Sequence, residues 1–201
     1  MARGAAEGRK LMRRSERRAQ ILASAVPVFA RHGFRDASLD DIAAEAGITR
    51  AIVYRHFDSK EELYRAVLDD ARTAIREELQ ADEQVGPGSI TALIQVASRD
   101  PDRFRLLFDN ARHEPDFASY YEEFADTSAQ YVRDALPNGY NTPKMTEFVA
   151  HLTIRQLYET ILLWLDHNQP TSRDDLAETI RAAAAAITCA LARPAPGRRA
   201  R

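Results

Sequence analysis

The sequence predicts an all-α protein of about nine helices. Apolar residues recur at three- and four-residue spacing, as in Ile21, Leu22, Ala25, Val26 and Phe29, or Leu63, Val67, Ala71 and Ile75. That spacing collects them on one face of a helix. Strongly alternating Val/Ile/Thr runs of the kind that make strands are missing from the sequence. Only eight glycines and nine prolines punctuate 201 residues, too few for many short strands and turns.

The first helix is expected over Ser15–Arg31, ending at His32-Gly33. Pro27 lies inside it, lacks an N–H and should bend its axis. Ser38 is placed to cap a short second helix, with Asp41 three residues on and Leu39, Ile42, Ala43 and Ala46 as its apolar stripe. Gly47 stands where that helix must end in a left-handed turn. Ile48 plugs the corner, Thr49 offers the next cap, and a third helix follows over Arg50–Phe57. A tight glycine turn between two short amphipathic helices is the helix-turn-helix pattern. A plain helical hairpin in another all-helical protein has the same spacing.

The fourth helix is expected over Lys60–Ala81, and Gln84-Val85-Gly86-Pro87-Gly88 then breaks the chain. A short fifth helix spans Ile90–Ser98, and Asp100 caps a sixth that starts at Pro101. The seventh covers Phe117–Leu136, the turn-forming stretch 137–141 follows, and the eighth and ninth cover Pro143–Asn168 and Arg173–Leu191. The expected division is a disordered basic arm over 1–14, a helix-turn-helix domain over 15–62, a second helical domain over 63–193, and a disordered tail over 194–201.

The net charge of −2 conceals an asymmetry: residues 1–65 carry +4 and residues 66–201 carry −6. A basic N-terminal module suits an anionic partner, and an acidic remainder does not touch nucleic acid. Seven of the first 18 residues are basic, so the arm is either a solvated tail or a contact to phosphates or a minor groove. Cys189 is the single cysteine, which excludes an internal disulfide or a cysteine zinc cluster. No Glu-x-x-His pair exists for a di-iron bundle, so neither metal nor cofactor is expected. No apolar stretch reaches membrane-spanning length, and no secretory signal pattern opens the chain, so a cytoplasmic protein without catalytic activity is expected.

Leu39–Leu63 reads LDDIAAEAGITRAIVYRHFDSKEEL. Its end, YRHFDSKEEL, resembles the close of the DNA-binding domain in TetR-family transcriptional regulators. The resemblance covers about Arg17 to Val67, with Ala19–Phe34 as the supporting first helix and Lys60-Glu61-Glu62-Leu63 as the opening of the fourth. It implies a sequence-specific regulator, most often a repressor released from a pseudo-palindromic operator by a small-molecule effector. It further implies a homodimer whose last two helices form a four-helix bundle with the partner. In that scheme the ligand moves the fourth and sixth helices and alters the spacing of the two DNA-reading heads.

Arg50, at the outward start of the third helix, suits a bidentate pair with guanine. Ala51 permits close approach and a thymine-methyl contact. The resemblance makes Tyr54 and His56 phosphate-backbone contacts, and Lys60 adds a cation at a helix start. Ser38 and Thr49 are caps whose hydroxyls could also reach phosphate. Arg55 either reaches a base or pairs with Asp58.

In the second domain, aromatic stripes interspersed with polar groups fit either a packed core or an effector pocket. The candidate pocket residues are Phe104, Leu107, Phe108, Asn110, Tyr120, Tyr121, Phe124, His151, Arg155 and Tyr158. Phe148, Val149 and Leu152 against Leu157, Ile161 and Leu165 give the eighth helix two apolar sides. Ala182–Ala186 give the ninth little bulk, and this pair is the expected dimer interface.

Overall fold

The structure, a computed structural model, describes residues 13–81, 90–136 and 142–192. The basic arm up to residue 12, the breaks expected at 84–88 and 137–141, and the tail from 193 lie outside them. The described residues form helices and no strand. In chain order these are α1 (Arg14–Asp36), α2 (Leu39–Glu45), α3 (Arg50–Tyr54), α4 (Lys60–Ala81) and α5 (Ile90–Arg99). Then come α6, α7 (Ala118–Ala135), α8 (Pro143–Asp166) and α9 (Arg173–Ala192). Helix α6 is continuous from Pro101 to His113, with a π turn at Leu106–Asn110 between its two α-helical parts.

The chain divides into two compact units, at Val67/Leu68 within α4. The boundary read from the sequence, at 62/63, falls in the same helix.

In the first unit Ile21, Ala25, Phe29, Leu39, Ile42, Val53, Phe57, Leu63, Tyr64 and Val67 are buried. The Phe29 and Tyr64 rings meet edge to face, 4.8 Å between centroids. α1 runs through Pro27 with helical backbone, and its non-helical residue is Gly33, at φ 71°. Val26, Val28 and Phe29 are buried on either side of the proline. Their burial, at about 1.5–3 kcal/mol per large apolar side chain, outweighs the hydrogen bond that proline forfeits.

The second unit is built on one apolar core. Ile94, Phe104, Leu107, Phe108, Ala129, Ala150 and Ile161 within it are fully buried. Asp100 caps α6 by accepting from the Arg103 N–H at 3.1 Å, and Thr142 caps α8 by accepting from the Met145 N–H at 3.2 Å. α8 closes two residues earlier than Asn168, which sits at φ 54°. The Gln169 N–H reaches back to the Trp164 carbonyl at 2.8 Å, so a left-handed asparagine takes the role usual for glycine.

Candidate nucleic-acid interface and effector cavity

The α2–α3 corner follows from local chemistry. Ser38 Oγ accepts from the Asp41 N–H at 3.1 Å, and the Asp41 carboxylate accepts from the Ser38 N–H at 3.2 Å, a reciprocal capping box. The Ser38 hydroxyl, donating to Asp41 Oδ2 at 2.6 Å, and then the Ser38 N–H hold the Asp41 carboxyl below the usual carboxylate range. Gly47 ends α2 at φ +64°. The Gly47 N–H donates to the Ala44 carbonyl at 3.1 Å, and the Ile48 N–H to that of Ala43 at 2.9 Å. That pair of bonds is the Schellman closure. Thr49 occupies the cap position of α3, but its hydroxyl accepts no capping bond there, unlike the expectation. α3 also stops at Tyr54, with a turn through His56, rather than running to Phe57. Phe57 is instead buried with Val53 under the corner.

Arg50, Ala51, Tyr54 and Arg55 are all exposed on α3 or its end. The Arg50 guanidinium donates to Asp40 Oδ2 at 2.7 Å and to the Tyr54 hydroxyl at 3.1 Å. The fork is therefore held at one place on the surface, and the Tyr54 bond, then Asp40, raise its pKa further. His56 is half-buried. Burial, reinforced by Arg14, Arg17 and Arg18, holds its imidazole below the usual value, so it is neutral at neutral pH. The charges of those three arginines reach His56 across the fold. The charge count in the sequence showed their number, but only the fold shows which residue they face.

Lys60 is placed differently from the outward cation expected. Its Nζ donates to the carbonyls of Arg35 at 3.0 Å and Ala37 at 3.1 Å, and lies 4.7 Å from the Phe34 ring centroid. It ties the start of α4 to the end of α1 and to the residue before the Ser38 cap. Lys60→Ala is expected to destabilise the DNA-binding unit by about 1–2 kcal/mol, because two carbonyls lose a charged donor. Thermal unfolding of the variant checks this. Unchanged stability, with a log–log salt slope of DNA binding lowered by about one unit, would make Lys60 a phosphate contact instead of a clamp.

The second unit encloses a cavity of about 730 Å³ between α4, α5, α7, α8 and α9. Of the ten residues expected to form a pocket, Phe124 and Tyr158 are in its wall. Phe104, Leu107 and Phe108 are fully buried in the core, where the Phe108 ring lies 4.4 Å from those of Phe104 and Tyr158. Asn110 is half-buried at the end of the π turn, and Tyr121 is buried beneath the Arg112 guanidinium. Tyr120 packs under Arg72, and His151 pairs with Glu147 at 2.7 Å. Arg155 is exposed on α8. Helical spacing marks inward residues but does not separate a cavity wall from filled core. The wall residues the sequence did not single out include Arg76, Gln80, Thr127, Ser128, Tyr131 and Ile154. Their one sequence signal is the helical spacing of Thr127, Ser128 and Tyr131, which places three hydroxyls on one face of α7.

On the opposite side of α8, Met145, Phe148, Leu152 and Leu163 are exposed, Phe148 and Leu163 each at 56%. Val149, Leu157, Ile161 and Leu165 face the core. On α9, Ala182, Ala185 and Ala186 are exposed, while Ala183 and Ala184 are half-buried.

Residues 21–67 match the sequence pattern of the bacterial regulatory proteins of the tetR family. The chain is 28% identical over 175 residues to the HTH-type transcriptional activator FasR of Mycolicibacterium smegmatis, spanning 82% of this chain and 80% of that protein. An HTH-type transcriptional repressor of Streptomyces coelicolor is 34% identical over 91 residues, 45% of this chain and 47% of its own. The fold matches a TetR-like transcriptional regulator from a Rhodococcus species with TM-score 0.68 at 19% identity, covering 87% of this chain and 97% of that one. Residues 21–67 therefore carry the DNA-binding domain of the tetR family, and the fold of the whole chain is that of TetR-like regulators. With that domain and these relatives it is a DNA-binding transcriptional regulator of the helix-turn-helix type, a non-enzymatic class. No helix among the described residues is long and apolar enough to cross a membrane.

Proposed function

We propose that this protein is a homodimeric TetR-family repressor that holds a pseudo-palindromic operator and leaves it when a small molecule fills the cavity. The observation that carries the reading is the cavity itself. Its volume is that of a drug-sized ligand site, and α4 supplies Arg76, Leu79 and Gln80 to its wall. The same helix contributes Leu63, Tyr64 and Val67 to the core of the DNA-binding unit. A ligand that prefers one arrangement of α4 thereby biases the DNA-binding head. It releases DNA only to the extent that it binds the DNA-incompetent state more tightly. Arg50 reads a base, Ala51 approaches a thymine methyl, and Tyr54, His56, Ser38 and Thr49 contact the backbone. Arg55 takes either a base or a phosphate. The exposed apolar strip on α8, with Ala182 and Ala186 of α9, forms the dimer interface, while Ala184 and Ala185 line the cavity.

Selection of bound sequences from a random DNA library tests the reading. It is expected to return an inverted repeat with half-sites about 10 bp, or a multiple of that, from centre to centre. A single unrepeated site would overturn the dimeric operator. A reporter placed behind the selected sequence is expected to fall silent when the protein is present. A rise in expression would support the second reading, an activator, which the similarity to FasR over most of the chain favours.

A further inference from the structure

We propose that the cavity takes an amphipathic organic anion, with an apolar body inside and one anionic group at Arg76. This rests on the cavity being the effector site.

The wall changes character along its length. Leu93, Ile154, Leu157 and Ile180 are buried, whereas Arg76, Gln80 and Tyr131 are exposed. The deep end therefore takes apolar surface, and the outer end meets water. Among the described residues of the wall, Arg76 carries the one formal charge, and its carboxylate neighbour, Glu123, lies outside the wall. A cationic ligand would find no counter-charge in this wall.

The buried hydroxyls do not offset this. Thr153 Oγ1 donates to the Val149 carbonyl at 2.8 Å, and the Ser128 and Tyr158 hydroxyls share a bond of 2.8 Å. Nearer the exposed end, Thr127 Oγ1 donates to the Glu123 carbonyl, also at 2.8 Å. The threonine protons are spent on the protein's own backbone. Burial holds the Tyr158 phenol neutral, its pKa pushed well above the usual tyrosine value. The deep wall is thus apolar in effect, and the strong donor stands at the outer end.

Arg76 is also free to change partners at small cost. Its guanidinium is 3.6 Å from Glu123 Oε2, while Arg72 donates to the same oxygen at 2.9 Å. If Arg76 turns to a ligand anion, Arg72 keeps Glu123 paired, so no carboxylate is stranded. The Phe124 ring, 5.3 Å beneath the Arg76 guanidinium, anchors the cation at the wall. An exchange of a long ion pair for a short charge-assisted contact favours an anionic head over a neutral one.

The test uses the full chain and three probes of equal alkyl length: decanoate, decanol and decyltrimethylammonium, each titrated by calorimetry below its micelle concentration. Decanoate is expected to bind at least about tenfold more tightly than decanol, the scale of one charge-assisted hydrogen bond, and the ammonium more weakly than either. In Arg76→Gln, decanoate should fall to the level of decanol, with decanol unchanged. Ala184→Phe, which fills the cavity from α9, should weaken all three. Equal binding of acid and alcohol in the unaltered protein, or a preference that survives Arg76→Gln, overturns the anion assignment and leaves the cavity reading standing. If none of the probes binds, or Ala184→Phe leaves all three unaffected, the cavity reading falls with it.

Discussion

Leu163→Glu is expected to leave a folded monomer that no longer holds its operator. Leu163 is exposed in the single protomer, so a carboxylate there costs the fold little. Against a partner's α8 and α9 the same carboxylate would be buried without a counter-charge. Removing the partner of a buried charge typically costs about 3–5 kcal/mol, and the dimer dissociation constant rises by a hundredfold to several thousandfold. Loss of the dimer removes the second DNA-reading head, and a single short helix reads too few base pairs to hold a specific site. Phe148→Glu should do the same. Sedimentation equilibrium of the two variants decides the matter. A dimer that survives both substitutions would move the interface to another surface, and circular dichroism would show whether the helices were kept.

Arg50→Ala is expected to lose about ten- to a hundredfold of discrimination at one base pair in each half-site, with weaker effects elsewhere. The guanidinium is already held by Asp40 and Tyr54 before DNA arrives, so little side-chain freedom is lost on docking. Binding titrations against operators altered one position at a time give the readout. A uniform loss across every sequence would make Arg50 a phosphate contact. Tyr54→Phe removes one of the two bonds that hold the fork and should blur the same position to a smaller degree.

Much of the DNA-binding unit was legible in the sequence because its determinants are local. The Ser38–Asp41 box spans three residues, and the left-handed state of Gly47 is decided by its lack of a side chain and the helix it ends. The apolar stripes of α1, α2 and α4 needed only helical periodicity. Where the reading failed locally, the competing force was packing. α3 ends at Tyr54, short of the expected Phe57, and Phe57 is buried in the core.

What the sequence alone determined was therefore the helical class, most helix limits and the helix-turn-helix with the polar residues it carries. Tertiary structure decided the partners of those residues. Lys60 meets carbonyls 23 and 25 positions away, and Arg72 meets Glu123 across 51 positions. It also decided which aromatics fill core and which face empty space: Phe108 and Phe124 share the same helical signature, yet only Phe124 lines the cavity. Periodicity records which side of a helix turns inward. Whether that side meets another side chain or a void depends on where the neighbouring helices stop, and that is set by contacts distant in sequence.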